Sequence, residues 1–418
     1  MKMKFRAIVI LFVVIETLSI IHGYVLLKEW MAMGLMCGIS MFMYPKAFHN
    51  KPTMYLLMYF TFLMMFVAMG HSLANTRWVL IEILVPFSFL SIINVFIYNH
   101  DFEGLKIVTV VGLIIIALTA VLTIPIVIKD PMAVRRMVTF SNSNNFAAMQ
   151  MYQRQGIASF GLVHAFAFLC PLLVFQVKSG RNQIFRMFSV AVLLVTYLMI
   201  IKVSFATPII LCTFAIAYAF VLSKNKRVNL VIGVVLISAL STSLNKDLLT
   251  SGLTTISKTF FANTPVSEKI DNIKASIQHE QFEGQVSGRG KLYDKSWITF
   301  FDNPILGSLD KTQAGGHAYF VDRLAYFGLF GTLPFLMFLF FTLKRNLTII
   351  GSQMRPHYVL CLFFFVILGL TKNISGRENF LYLFVLLPGL CLIGEPVKNQ
   401  RVLLLMRNES VSTGLKLP

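Results

Sequence analysis

Charge is what this chain has least of. Only 13% of its 418 residues are Asp, Glu, Lys or Arg, against about a quarter in an ordinary soluble domain. Acid is scarcer still, with 18 Asp and Glu facing 37 Lys and Arg. No glycine loop of the GxxxxGK[ST] type is present, so nothing indicates ATP as an energy source. No Asp-x-Asp pair offers an acidic clamp for a metal-bound sugar nucleotide. No His/Cys cluster has zinc-ligand spacing, and no GxSxG elbow presents a serine. The five cysteines (Cys37, Cys170, Cys212, Cys361 and Cys391) lie in apolar segments with no CxxC pattern, which reads as buried hydrophobes. No metal and no cofactor is expected.

What the sequence has in abundance is apolar length. It is 56% hydrophobic with 39 phenylalanines, at a mean hydropathy of +0.73. These runs predict an all-α, polytopic integral membrane protein of about twelve helices. They fall at 6–22, 26–44, 54–71, 78–98, 106–128, 157–177, 186–203, 206–223, 229–243, 319–343, 356–372 and 379–394. The N-terminal "MKMKFRAIVILFVVIETLSIIHG" has the charged start of a signal peptide but no small-x-small cleavage site, and an uncleaved first helix is expected.

The net charge of +19 is concentrated in short links, which excludes a nucleic-acid reading. Lys46 and Lys51, Lys106, Lys178 with Arg181 and Arg186, Lys224 with Lys226 and Arg227, and Lys344 with Arg345 and Arg355 occupy every second gap. Cytoplasmic loops carry such an excess, so both termini are expected inside. The organisation that follows is an N-terminal bundle over 1–243, a large external loop over 244–318, C-terminal helices over 319–394 and a cytoplasmic tail over 395–418.

The external link 129–156 is Asn/Ser-rich and, past Lys129 and Asp130, carries Arg135, Arg136 and Arg154 and no acid. These arginines would form an attractive patch for an anion. The 244–318 loop is charge-balanced. Within it, Thr264-Pro265 predicts a helix start, and a second helix carries Tyr293, Trp297, Phe300 and Phe301 on one side before Asp302-Asn303-Pro304 stops it. That aromatic stripe suits a helix on the membrane surface and equally an ordinary loop core; both readings stay open.

Candidate chemistry gathers at the end of this loop. In "GGHAYFVDRLAYFGLFG" (residues 315–331), the His317 imidazole would accept a proton from an attacking hydroxyl; the bland reading is an interfacial histidine capping a helix. Asp322 would orient the imidazole or an acceptor sugar, or pair with Arg323. Gly315 and Gly316 would let backbone approach a bulky substrate. Arg289, in "VSGRGKLYDKSW", sits between glycines on a flexible external loop, where a guanidinium suits bidentate contact with a diphosphate. Lys202 lies at an external helix end, where snorkelling accounts for it. Glu16 and Glu82 fall inside spans and have no assigned role, and Arg377 with Glu378 reads as a solvated pair.

"GRGKLYDKSWITFFDNPILGS" followed by "GGHAYFVDRLAYFGLFGTLPFL" resembles the signature of the O-antigen polymerase and O-antigen ligase superfamily. The matching positions are Arg289, Tyr293, Asn303-Pro304 with Gly307, then His317, Asp322, Gly328 and Gly331. The resemblance implies an inner-membrane inverting glycosyltransferase with a large periplasmic loop. Such an enzyme passes glycan from undecaprenyl diphosphate to an acceptor hydroxyl without metal, with a chain-length regulator protein as partner. It implies His317 as base and Arg289 as a diphosphate ligand. Ligases carry Arg where "SFAT" places Phe205, so a polymerase is expected over a ligase, with Lys202 or Arg154 replacing that Arg. A transporter is the alternative of another class.

Overall fold

The computed structural model describes residues 2–18, 29–68, 73–130, 133–134, 151–152, 154–179, 182–203, 205–221, 254, 267, 271 and 284–394. All regular structure among them is helical. The helices are α1 (Lys2–Thr17), α2 (Glu29–Met43), α3 (Lys51–Ala68), α4 (Leu73–Tyr98), α5 (Phe102–Lys129), α6 (Phe160–Ser179), α7 (Gln183–Val203), α8 (Ala206–Val221), α9 (Gly284–Asp302), α10 (Tyr319–Ile349), α11 (Arg355–Thr371) and α12 (Arg377–Leu381). A π-turn (Tyr382–Leu386) joins the last to α13 (Leu387–Gly394).

Among the described residues, five stretches are long and apolar enough to cross a membrane: Val79–Tyr98, Phe102–Lys129, Phe160–Lys178, Gln183–Val203 and Tyr319–Ile349. Every expected span except 229–243, which lies outside the described residues, overlaps helix where it is described, the last of them as α12, the π-turn and α13. Helices α4, α5, α6 and α10 each contain a proline, at Pro86, Pro125, Pro171 and Pro334. Neighbouring helices in lipid make such residues tolerable.

The centre of the bundle is α6 with the α12–α13 segment. Ala165 to Leu173 and Tyr382 to Leu387 have no exposed residue among their apolar members, and all five cysteines are buried. At one end, Asp101 caps α5 by accepting from the Gly104 amide (3.1 Å) and takes a hydrogen-bonded ion pair from Arg6. Lys2 donates to the Asn99 carbonyl at 2.9 Å, so the start of α1 is tied to the α4–α5 turn.

α10 is broken at Gly328, whose backbone adopts φ 55°, ψ −163°. The leading segment 319–327 folds back along the remainder, bringing the Tyr319 ring to 6.1 Å from Phe335. Thr332 Oγ1 donates to the Arg323 carbonyl at 3.0 Å. In a straight helix, residues 319 and 335 would stand roughly 24 Å apart. The turn after α9 fills the break. Ser308 and Leu309 amides donate to the Ala325 and Tyr326 carbonyls, and Leu329 and Phe330 amides donate to those of Pro304 and Ile305, at 2.8 to 3.0 Å. Backbone groups freed by the break are thereby satisfied. A Cβ on Gly328 would meet the Ile305 carbonyl oxygen at 2.4 Å, and one on Gly307 would meet that of Tyr326 at 2.4 Å. The Asn-Pro-x-x-Gly turn and the G-x-x-G helix are two halves of one interlock.

Of the expected helix from Thr264-Pro265 only Ser267 and Asp271 are among the described residues, both helical. The second expected helix is α9, and it stops at Asp302 as the Asn-Pro step dictates. Arg289 is therefore on a helix, not on a flexible glycine loop, because Gly284–Gly290 continue the α9 backbone.

Candidate functional site

The site lies at the end of the bundle opposite Asp101. Glu82 on α4 is 16 residues before Tyr98, or roughly 24 Å along the axis. Around it the links 156–159, 303–318 and 372–376 converge, because the Ala158 amide donates to Thr123 Oγ1 (2.8 Å), Ser159 donates to Glu378 (2.5 Å) and the Tyr319 amide donates to the Lys372 carbonyl (3.1 Å). A small cleft opens there, lined by Glu82, Tyr319, Asp322, Arg323, Tyr326, Phe327, Asn373 and Ser375.

Arg323 is the buried centre of this cleft, 3% exposed. Its Nη2 pairs with Glu82 and donates to the Tyr319 hydroxyl at 2.8 Å, while Nη1 donates to the Tyr59 hydroxyl at 2.5 Å. The guanidinium also lies over the Phe335 and Tyr319 rings, at 4.0 and 4.4 Å. A buried cation is tolerable only with such partners, and this one has a full set except at Nε.

Asp322 does not pair with Arg323. Adjacent residues on a helix point about 100° apart, and this carboxylate turns back to the loop before α10. It accepts from Ser296 Oγ (2.6 Å), the Gly316 amide (3.2 Å) and the Ala318 amide (2.8 Å). It thus clasps the backbone on either side of His317. Ser296 Oγ also accepts from the Gly315 amide at 2.9 Å. Gly315 is closed to substrate, whereas the nearest atom to a Cβ on Gly316 is the Tyr326 hydroxyl oxygen at 4.0 Å. A Cβ on Gly315 would strike the Leu292 carbonyl oxygen at 2.1 Å, and Gly316 needs φ +69°.

His317 itself is half-buried on this clasped loop, next to the cleft but not among the residues that line it. Tyr293 donates from its hydroxyl to the Leu370 carbonyl at 2.8 Å, latching α9 to the end of α11. Arg154 is exposed on the turn before Gly156, and Lys202 is exposed at the end of α7; neither lines the cleft. Arg135, Arg136 and the Arg289 side chain lie outside the described residues. Phe205 is buried against Phe160 (5.2 Å) and His164 (5.3 Å), an apolar ring cluster.

Two acids without an assigned role turn out to be structural partners. Glu82 holds Arg323, and Glu16, fully buried, pairs with Arg377 at 3.4 Å. Arg377 and Glu378 are therefore not a solvated pair: the arginine reaches α1, and the Glu378 carboxylate takes the Ser159 hydroxyl in space left by Gly161 and Gly376. The signal for both was legible, since an acid inside a span needs a named partner. The cleft's Tyr319, Tyr326, Asn373 and Ser375 had no such signal. No protein-family model and no curated protein matches this chain.

Proposed function

We propose that this chain is a polysaccharide polymerase of a bacterial cytoplasmic membrane, with about twelve spans, both termini inside, and the cleft on the external face. It would transfer glycan from one undecaprenyl-diphosphate-linked repeat unit to the non-reducing-end hydroxyl of another. The observation that supports this is the polar cleft at the head of α10, with phenol, carboxylate and amide groups to hold a sugar. A histidine loop is clamped at its rim by Asp322 and Ser296.

In the proposed step the acceptor oxygen attacks the anomeric carbon of the donor, and its proton passes to the His317 imidazole. The new C–O bond forms as the anomeric carbon–oxygen bond to phosphate breaks, with the electron pair leaving on the diphosphate. Arg323 is committed to Glu82, so charge neutralisation of the leaving group falls to Arg289 and to the Arg135, Arg136 and Arg154 link. Arg323 and Asp322 act instead as positioning groups for the cleft and its rim.

Phe205 in its ring cluster supplies no guanidinium, which favours polymerase over ligase. The broken α10 beside a buried ion pair favours transport as a second reading, because carriers use interrupted helices at their binding sites. One experiment separates them: purified protein in liposomes, supplied with lipid-linked repeat units and no ion gradient. Chains that lengthen, and that fail to lengthen with folded His317→Ala, support the polymerase. Translocation without lengthening refutes it. In cells, a deletion leaving single repeat units on the surface lipid points to a polymerase, and one leaving none points to a ligase.

A further inference from the structure

We propose that α9 lies in the membrane–water boundary, with its Trp297–Phe301 flank in lipid and its Lys291–Lys295 flank in water. Ser296 and Thr299 are buried against the 313–322 segment and define the inward direction of this helix. At 100° per residue, Trp297 and Phe301 stand about 100° and 140° to one side of Ser296; Lys295, Asp302 and Lys291 stand about 100° to 140° to the other. The helix has a packed face, a charged flank and an aromatic flank that continues to exposed Ile298, with exposed Asp294 at about 160° marking the N-terminal limit of the aromatic flank. That division matches a helix lying along an interface.

The aromatic flank is open. Trp297 is 39% and Phe301 69% exposed, and their rings stack at 5.8 Å. It continues through exposed Ile305 and Leu306. Ile305 is hydrogen-bonded to Phe330, which begins an exposed apolar stripe on α10: Leu329, Phe330, Leu333, Met337 and Phe340. That spacing of three and four is the face a spanning helix turns to lipid. On α3 the exposed stripe of Met54, Met58 and Met65 runs past the same level, since Phe62 meets Phe330 at 5.8 Å. Acyl chains therefore reach the height of Ile305 on two helices, and the surface of α9 is their extension.

The consequence is local. Ser296, one residue from Trp297, carries the hydrogen bonds to Asp322 and Gly315 that set the His317 loop. A bilayer that grips one flank of α9 holds that loop through the other.

The test uses the full chain in nanodiscs of phosphatidylethanolamine and phosphatidylglycerol, with Trp30→Phe and Trp78→Phe leaving Trp297 as the reporter. Lipids brominated near the top of the acyl chain should quench most of its emission, and aqueous iodide little. Free quenching by iodide with no effect of bromolipid overturns the proposal. Shielding from both also overturns it, because a protein partner or second copy then covers the flank. Should the double variant not fold, a nitroxide at Leu306→Cys gives the same answer. Oxygen should relax it more strongly than a water-soluble nickel chelate, and the reverse order refutes the placement.

Discussion

Arg323 on α10 is bound to Glu82 on α4, 241 residues away in sequence, and not to Asp322 beside it. This cross-bundle pair joins the N-terminal helices to the head of α10 and leaves Asp322 free to hold the His317 loop. A second pair, Glu16 with Arg377, repeats the connection between α1 and α12.

Breaking the first pair should be costly, and removing it whole should not. Glu82→Leu alone leaves a buried cation uncompensated, for a loss of about 3–5 kcal/mol. Glu82→Leu with Arg323→Met should recover most of that, as read by thermal unfolding in detergent. A double variant no better than the singles would mean the Tyr59, Tyr319 and Phe335 contacts carry the stability, not the charge pair.

The interlock at the α10 break makes a sharp contrast among glycines. Gly328→Ala and Gly307→Ala combine backbone clash with positive φ, at a cost of roughly 1–3 kcal/mol or more each. On α2, a Cβ at Gly34 or Gly38 meets nothing within 4 Å. Alanine at either should stabilise the helix by about 0.5–1 kcal/mol. Equal melting temperatures for Gly328→Ala and wild type would remove the interlock.

Ser296 is a positioning residue, and its variants should show it in kinetics. Ser296→Ala deletes a bridge to Asp322 and Gly315, for about 1 kcal/mol of stability. The turnover number for chain elongation should fall much further than the Michaelis constant rises, and Ser296→Thr should restore it. An unchanged turnover number would leave Ser296 a packing residue only.

At the other end, the Asp101 carboxyl should register in acid. Burial acts to raise it, but the Arg6 guanidinium and the Gly104 amide outweigh burial and hold it below its ordinary value of 3.8. A lowered folded value means stabilisation that is complete above the unfolded value and lost as pH falls through the folded one. Wild type should therefore exceed Asp101→Asn by a constant margin from neutrality down to about pH 5, and the margin should shrink below about pH 4. A margin that persists unchanged in strong acid would remove the charge pair with Arg6 as its cause.

Much of the fold was readable from local pattern. Apolar runs at bilayer length placed α4, α5, α6, α7 and α10 within a few residues, because in lipid a spanning segment must satisfy its own backbone. Thus Asp302-Asn303-Pro304 ended α9 as expected. The fold-back at Gly328 was not readable, since "AYFGLFG" lies inside an unbroken apolar run and only the turn at 303–309 converts its glycine into a break. Arg289 was misplaced for the converse reason: flanking glycines suggested a loop, and continuation of the helix overrode them.

By itself the sequence settled composition-driven matters: an all-helical chain, where its apolar segments lie, and that His317, Asp322 and Arg323 sit at the head of one of them. Only the tertiary structure decided who partners whom. Arg323 found Glu82, Asp322 found Ser296, and Arg377 found Glu16, because each lies across a helix interface that no local periodicity encodes. Hydropathy is a property of single segments. A buried charge is neutralised by whichever segment packing brings against it.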